Sequence, residues 1–326
     1  MKSFRGNKHI WPGYVPPNKN ELLSSWIFRN SREHKIKPHS FTKYYLDTSS
    51  FWTRDVDKFI NNKILHLIYN QTPLSFNQIK NMQLTSYQDI IFNGELLTSY
   101  SQGISNLGIY HRKRKQNGLL ICPTCLGRDK YYKKNWRLLT SIGCLVCNSY
   151  YIDCCPKCLS PIIFQRLAIG EKAIYNEYPM YLCWKCLYDY RKIRQTKLPQ
   201  IVWDYQNYID KTIFDGYNTH IKYSFLYFQV IFLILRRVQS SSILWTRIRD
   251  AFIKEFDISE LELFQRSQFP SFKLRSKILP LIFVILEGWP DNFVTFCKKY
   301  NLRYSDFTRG EQELPYWFYK VFRDFF

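Results

Sequence analysis

The stretch ICPTCLGRDKYYKKNWRLLTSIGCLVCNSYYIDCCPKC, residues 121–158, decides the fold, together with YLCWKC at 181–186. Nine of the chain's ten cysteines lie between Cys122 and Cys186. Eight of them form CxxC pairs: Cys122/Cys125, Cys144/Cys147, Cys155/Cys158 and Cys183/Cys186. A spacing of two residues lets both sulfurs reach one tetrahedral ion, and a second pair completes the shell. One CxxC alone would also suit a redox pair. Four in register point to metal, with zinc the expected ion and an iron–sulfur centre the alternative. Two Zn2+ ions are expected, both structural, because four thiolates leave no coordination position for water.

The pairs are separated by intervals of 18 and 24 residues, each long enough for a hairpin. Sequential pairing gives two ribbons, one from Cys122, Cys125, Cys144 and Cys147, the other from Cys155, Cys158, Cys183 and Cys186. Interleaving, with 122/125 joined to 155/158, fits the same spacing. Cys154 is the surplus thiol, because Cys155 opens a CPKC that repeats the CPTC at 122–125. Cys154 is then a small buried residue or a stand-in ligand, and Cys297, in FVTFCKKY, reads as a core thiol.

The remainder of the 326 residues divides around this centre into three regions: 1–110 helical, 111–200 bearing the tandem zinc ribbons, and 201–326 helical. The fold class expected is mainly α with two small β zinc ribbons. In the first region, Leu22, Leu23, Trp26 and Ile27 fall at helical spacing behind Asn20 as N-cap. A second helix is expected over residues 55–71, with Val56, Phe59, Ile60, Ile64 and Leu67 on one stripe and the acidic pair Asp55/Asp57 on its surface. Thr72, Pro73 and Ser75 then end that helix and cap the next. This is the outline of a helix-turn-helix, and equally of an ordinary helical hairpin. In the third region the strongest helices are expected at 223–237 and 273–289, with Pro280 near a start or kink. Gly288 and Pro290 end the second of these, and a terminal helix docks through LPYWFYKVFRDFF.

Charge points to a polyanionic partner. The chain carries 47 Lys and Arg against 26 Asp and Glu, a formal net charge of +21. The cysteine region begins with HRKRK and ends in RKIRQTK. From 111 to 137 there are nine basic residues and one Asp, interleaved with Tyr131, Tyr132 and Trp136. Cations among aromatics suit phosphate contact and base stacking. The candidate nucleic-acid residues are Arg112, Lys113, Arg114, Lys115, Lys130, Lys133 and Lys134, with Asn77 and Lys80 on the short helix. Trp136 is assigned to the core and the lysines to the outside. The most apolar run, residues 223–235, is thirteen long and closed by two arginines, shorter than a membrane span. With no signal-like start, the expected compartment is the cytoplasm, where thiols stay reduced. HExxH, P-loop and GxSxG motifs are absent from the sequence, and no enzymatic activity is expected.

Three motif groups, in order, resemble the TniQ/TnsD family of bacterial transposon target-site selectors. They are PPNKNELLSSWIFR at 16–29, then CPTC with Tyr132, Trp136, Cys144 and CPKC, then the tail from Glu260 through Trp289-Pro290 to LPYWFYK. The family usually has His where this chain has Cys147, so the first site gains one negative charge and keeps its tetrahedral donor set. The resemblance implies a non-catalytic adaptor that marks an integration site on DNA and recruits an AAA+ ATPase regulator, which recruits the transposase. The target-recognition element is either an RNA-guided CRISPR effector complex or attachment-site DNA. Direct readers in the family tend to be longer, which points this chain to the guided type. A homodimer is a further candidate assembly. The competing readings are a stand-alone, sequence-specific DNA-binding transcription regulator with structural zinc, working through the 55–83 hairpin, and a zinc-dependent nucleic-acid enzyme.

Overall fold

Helix α1 (Leu23–Glu33) begins with no capping side chain of its own, so its first amides need partners from elsewhere. The Asp57 carboxylate accepts from the Ser24 amide at 2.8 Å and from the Ser24 hydroxyl at 2.7 Å. The Met82 carbonyl accepts from the Leu23 amide, and the Tyr132 carbonyl from the Leu22 amide. Asn20, expected as the cap, sits instead at a φ of 60° and donates its side-chain amide to Asn135. The start of α1 is therefore set by tertiary contacts. The computed structural model in which these contacts are seen describes residues 9–94, 103–110, 113–167, 178–240, 242–258, 270–309 and 314–326.

Helix α2 (Pro38–Tyr45) packs on α1. The helix expected from residue 55 starts later, as α3 (Asn62–Gln71), where Asn61 caps by accepting from the Ile64 amide at 2.8 Å. Residues 55–58 form a turn ahead of it, which takes Phe59 off the apolar stripe and leaves it 64% exposed. Helix α4 (Phe76–Asn81) opens on a reciprocal capping box between Ser75 and Gln78.

That turn also removes Asp55 and Asp57 from the helix surface where the sequence placed them. Arg137, 1% exposed, forks onto Asp55 at 2.6 and 3.1 Å and lies 3.6 Å from Asp57. It also donates to the Ser105 carbonyl at 2.9 Å. Burial alone would raise the Asp55 carboxyl, but the guanidinium outweighs burial and holds it below its ordinary range. Burial, with the Asp55 charge beside it, pushes Asp57 up.

The β structure is slight. Strands β1 (Ile109–Tyr110) and β2 (Lys113–Arg114) pair antiparallel, Ile109 opposite Arg114. Helix α5 (Pro123–Asp129) follows, and then the hairpin of β3 (Gly143–Cys144) and β4 (Ser149–Tyr150), Cys144 opposite Ser149. Although the cysteine region lacks long apolar periodicity, it shares one continuous core with the rest. Leu120, Ile121, Tyr132, Trp136, Leu138 and Ile142 are all buried in it. Helix α6 (Gln200–Asp215), unrecognised in the sequence, starts behind Pro199 and stops at Gly216, whose φ is 76°. Tyr205 and Gln206 of α6 reach back to the Thr140 carbonyl and to the Ile142 and Gly143 amides.

Helix α7 (Ser224–Gln239) is the apolar run and is buried on nearly all sides, packing on α8 (Thr246–Phe256) and α9 (Phe272–Leu286). Pro280 lies inside α9, and Arg275 of the same helix, 2% exposed, donates to the carbonyls of Leu138, Leu139 and Ser141. Helices α10 (Asp291–Lys299), α11 (Tyr304–Thr308) and α12 (Tyr316–Phe325) close the chain. The expected docking of α12 is made through Phe318, Val321 and Phe322. Among the described residues no single helix is long and apolar enough to cross a membrane, and the apolar pair α9–α10 is bent by 108°.

The Arg137→Leu variant leaves Asp55 and Asp57 without their shared guanidinium. Breaking a buried pair on one side costs about 3–5 kcal/mol. Urea unfolding should show a midpoint lowered by that loss, and an unchanged midpoint would contradict the buried network.

Candidate metal centres

The cysteines assemble in the sequential order. Cys122, Cys125, Cys144 and Cys147 form one group and Cys155, Cys158, Cys183 and Cys186 another, the four sulfurs of each lying within 4.8 Å of one another. In the first group Cys125 is 3.6 Å from Cys144 and 3.5 Å from Cys147. In the second, Cys155–Cys186 and Cys158–Cys183 are each 3.6 Å apart. Four sulfurs around zinc at about 2.3 Å stand about 3.8 Å apart, so both groups fit a tetrahedral ion. Interleaved pairing does not match this geometry.

Local structure explains each knuckle. Cys122 is the N-cap of α5, with Pro123 at the first helical position, where a missing N–H costs nothing. That turn brings Cys125 back beside Cys122. Cys144 ends β3, and the turn to β4, with Asn148 at a φ of 47°, carries Cys147. In the second group the Ser160 hydroxyl lies 3.1 Å from the Cys158 sulfur and 3.5 Å from that of Cys183. The Lys185 amide donates to Cys183. Hydrogen bonds from the Cys122 and Cys144 sulfurs hold the Cys125 thiol far below its ordinary range. Each group therefore gathers four sulfur donors at the spacing a single ion requires.

Cys155, not its neighbour, lies in the second group. Cys154 stands outside both, its thiol pushed up to about 12 by burial and by Asp153. Cys297 is a buried core thiol, raised by desolvation.

The candidate nucleic-acid residues separate into two sets. Lys113, Lys115 and Lys130 are exposed, as are Asn77 and Lys80 on α4, which is only six residues long. Arg114 turns inward, donating to the Ile162 carbonyl at 2.8 Å and to Gln165. Lys134 is tied to the Asn81 carbonyl and to the Ser86 hydroxyl, and burial brings its ammonium down to about 8. Lys133 pairs with Asp129 at 2.8 Å. Trp136 is buried as expected, and Tyr132 with it, while Arg112 lies outside the described residues.

The opening motif has its own clamp, which the sequence pattern did not reveal. Glu21, 1% exposed, accepts from Arg29 at 2.9 Å, from the Ser25 hydroxyl and from the Asn18 amide. Arg29 donates onward to the Pro16 carbonyl, and the Trp26 indole to the Val15 carbonyl. Pro, Glu, Ser, Trp and Arg thus fold the lead segment onto one face of α1.

Replacing Cys122 by Ser should lower bound zinc from two ions to one by elemental analysis and leave the Cys155–Cys186 site loaded. Loss of the metal held by Cys183 and Cys186 would overturn the sequential grouping. Cys147→His, which restores an imidazole donor, should keep both ions, and loss of one would show that the first site requires four thiolates.

No curated protein matches the chain. Residues 12–148, which carry the opening motif and all of the first cysteine group, match the family model described as TniQ. Over those residues the chain carries a TniQ domain.

Proposed function

We propose that this chain is a non-catalytic target-site selection adaptor of a bacterial transposon. In this reading it links a target-recognition element, an RNA-guided CRISPR effector complex or attachment-site DNA, to an AAA+ ATPase regulator and through it to the transposase. The observation that carries the reading is the TniQ match over residues 12–148, within which the helical opening and the first four-cysteine group are packed together. The donor chemistry agrees with it. A zinc bound in either group would be surrounded by four thiolates from Cys122 to Cys147 or from Cys155 to Cys186, and such a shell supplies folding energy rather than an activated water. The protein's part is then to present surfaces in a fixed relation to each other.

The interlocked framework suits that task. Arg137 and Arg275 tie the cysteine region to the turn before α3 and to α9 through buried polar contacts. A sequence-reading role for α3 and α4 has less support, because α4 offers six residues to a groove.

With transposon DNA and the cognate target element present, the purified chain should retain an AAA+ ATPase on DNA and show no strand cleavage of its own. Metal-dependent nicking by the chain alone would overturn the adaptor reading.

A further inference from the structure

Residues 189–198 form a strap that leaves the second cysteine group and crosses to the first. At its start Asp189 bridges to Leu182, and the Cys183 amide donates to the Tyr188 carbonyl. Its 3-10 turn, Tyr190–Lys192, packs on α5. There the Arg191 methylenes lie over Gly127, where a Cβ would come within 2.9 Å of them, and Gln195 donates to the Thr124 hydroxyl at 2.6 Å. The strap ends along the β3–β4 hairpin. Tyr150 donates to the Thr196 carbonyl, Lys197 bridges to Ser149, and the Leu198 amide donates to the Asn148 carbonyl. Its backbone is therefore fixed at both ends and in the middle.

The side chains it turns outward are basic. Arg191, Lys192, Arg194 and Lys197 are exposed. Beside the strap's start, the second cysteine group presents Lys157 and Lys185 from matching places in CPKC and CWKC, both exposed. Each knuckle closes the same way, with Leu159 and Leu187 at a φ of 56° and their amides donating to the Cys155 and Cys183 carbonyls. The strap's one acid, Asp189, is held by Arg191 at 2.8 Å. Among the described residues, Lys157, Lys185, Arg194 and Lys197 have no acidic partner, and Lys192 stands near Asp189, which Arg191 already engages. Arg114 and Lys134, by contrast, are engaged inside the fold.

We propose that this strap and the two lysine tips form a surface for the phosphate backbone of duplex DNA, read without regard to sequence. It rests on the adaptor reading for the presence of DNA, and it lies beyond residue 148, outside the TniQ match. Preorganised cations without acidic partners are what counterion release requires. The neighbouring rings argue against a single strand, which needs open aromatic faces for stacking. The Arg191 guanidinium covers Tyr181 at 3.8 Å, and Arg166 lies 5.0 Å from the Trp184 ring. Nine peptide steps span at most roughly 30 Å, just under one turn of duplex at about 34 Å.

Fluorescence anisotropy on a random-sequence duplex, with the zinc-loaded full chain, tests this. The variant K192E/R194E/K197E should lose roughly tenfold or more in affinity at low salt, and its salt slope should fall by about 0.9 for each phosphate contact removed. K157E/K185E, which leaves the strap intact, should show a smaller loss of the same kind. Zinc content and circular dichroism identify any variant that fails to fold. The proposal is overturned if the parent chain does not bind duplex, if both charge-reversed variants match its affinity and slope, or if single-stranded RNA displaces the duplex from this face. Recruitment of the AAA+ ATPase by the strap variant in the absence of DNA separates the two readings. If recruitment holds and the salt slope is unmoved, only the strap proposal falls. If the slope changes and recruitment fails for the parent chain, the adaptor reading falls.

Discussion

The fork of Arg137 on Asp55 is the contact on which the rest of the arrangement turns. A guanidinium 1% exposed is expensive to bury unless its charge is matched and its N–H groups are used. Asp55 matches it, the Ser105 carbonyl takes a further N–H, and Asp57 stands behind. Asp57 in turn caps α1 through Ser24, so the same cluster fixes where the first helix begins. One buried network thus sets the N-terminal helices against the chain between the two CxxC pairs of the first cysteine group. The TniQ match across residues 12–148 covers this whole unit.

The cysteine groups add a second level of constraint to a region with little regular structure. Its strands are two residues long, which is too short for a stable sheet. Packing supplies part of the stability, through Trp136, Tyr132 and Ile142, and the four-cysteine groups stand where a bound metal would clamp the turns between them. Arg275 and Gln206 then close the far side by satisfying carbonyls and amides at 138–143. Cys147 is the informative residue of the set. A thiolate where the family resemblance leads one to expect imidazole changes the charge of the site and not its geometry, because its sulfur stands 3.5 Å from that of Cys125.

What could be read from the sequence was whatever depends on short spacing. The CxxC knuckles, the Ser75 cap, α7 and α12 are set by neighbours a few residues away, and all were legible. Asp55 and Asp57 were not, because the partner that buries them lies 82 residues along the chain from Asp55. The same reason hid the start of α1, which borrows its caps from Asp57, Met82 and Tyr132. It also hid the inward turn of Arg114 and Lys134, since a basic run looks alike whether its cations face water or carbonyls. Helix α6 was legible in principle: Pro199, the spacing of Val202, Tyr205 and Ile209, and Gly216 are ordinary start, face and stop signals.

The central claim is that both cysteine groups are closed metal sites that hold the scaffold together. X-ray absorption at the zinc edge, on the intact protein, measures this directly. The account predicts an average shell of four sulfurs at about 2.3 Å with no light scatterer in the first sphere. A contribution from nitrogen or oxygen at about 2.0–2.1 Å would mean that at least one site is open to water or to another donor, and would contradict it.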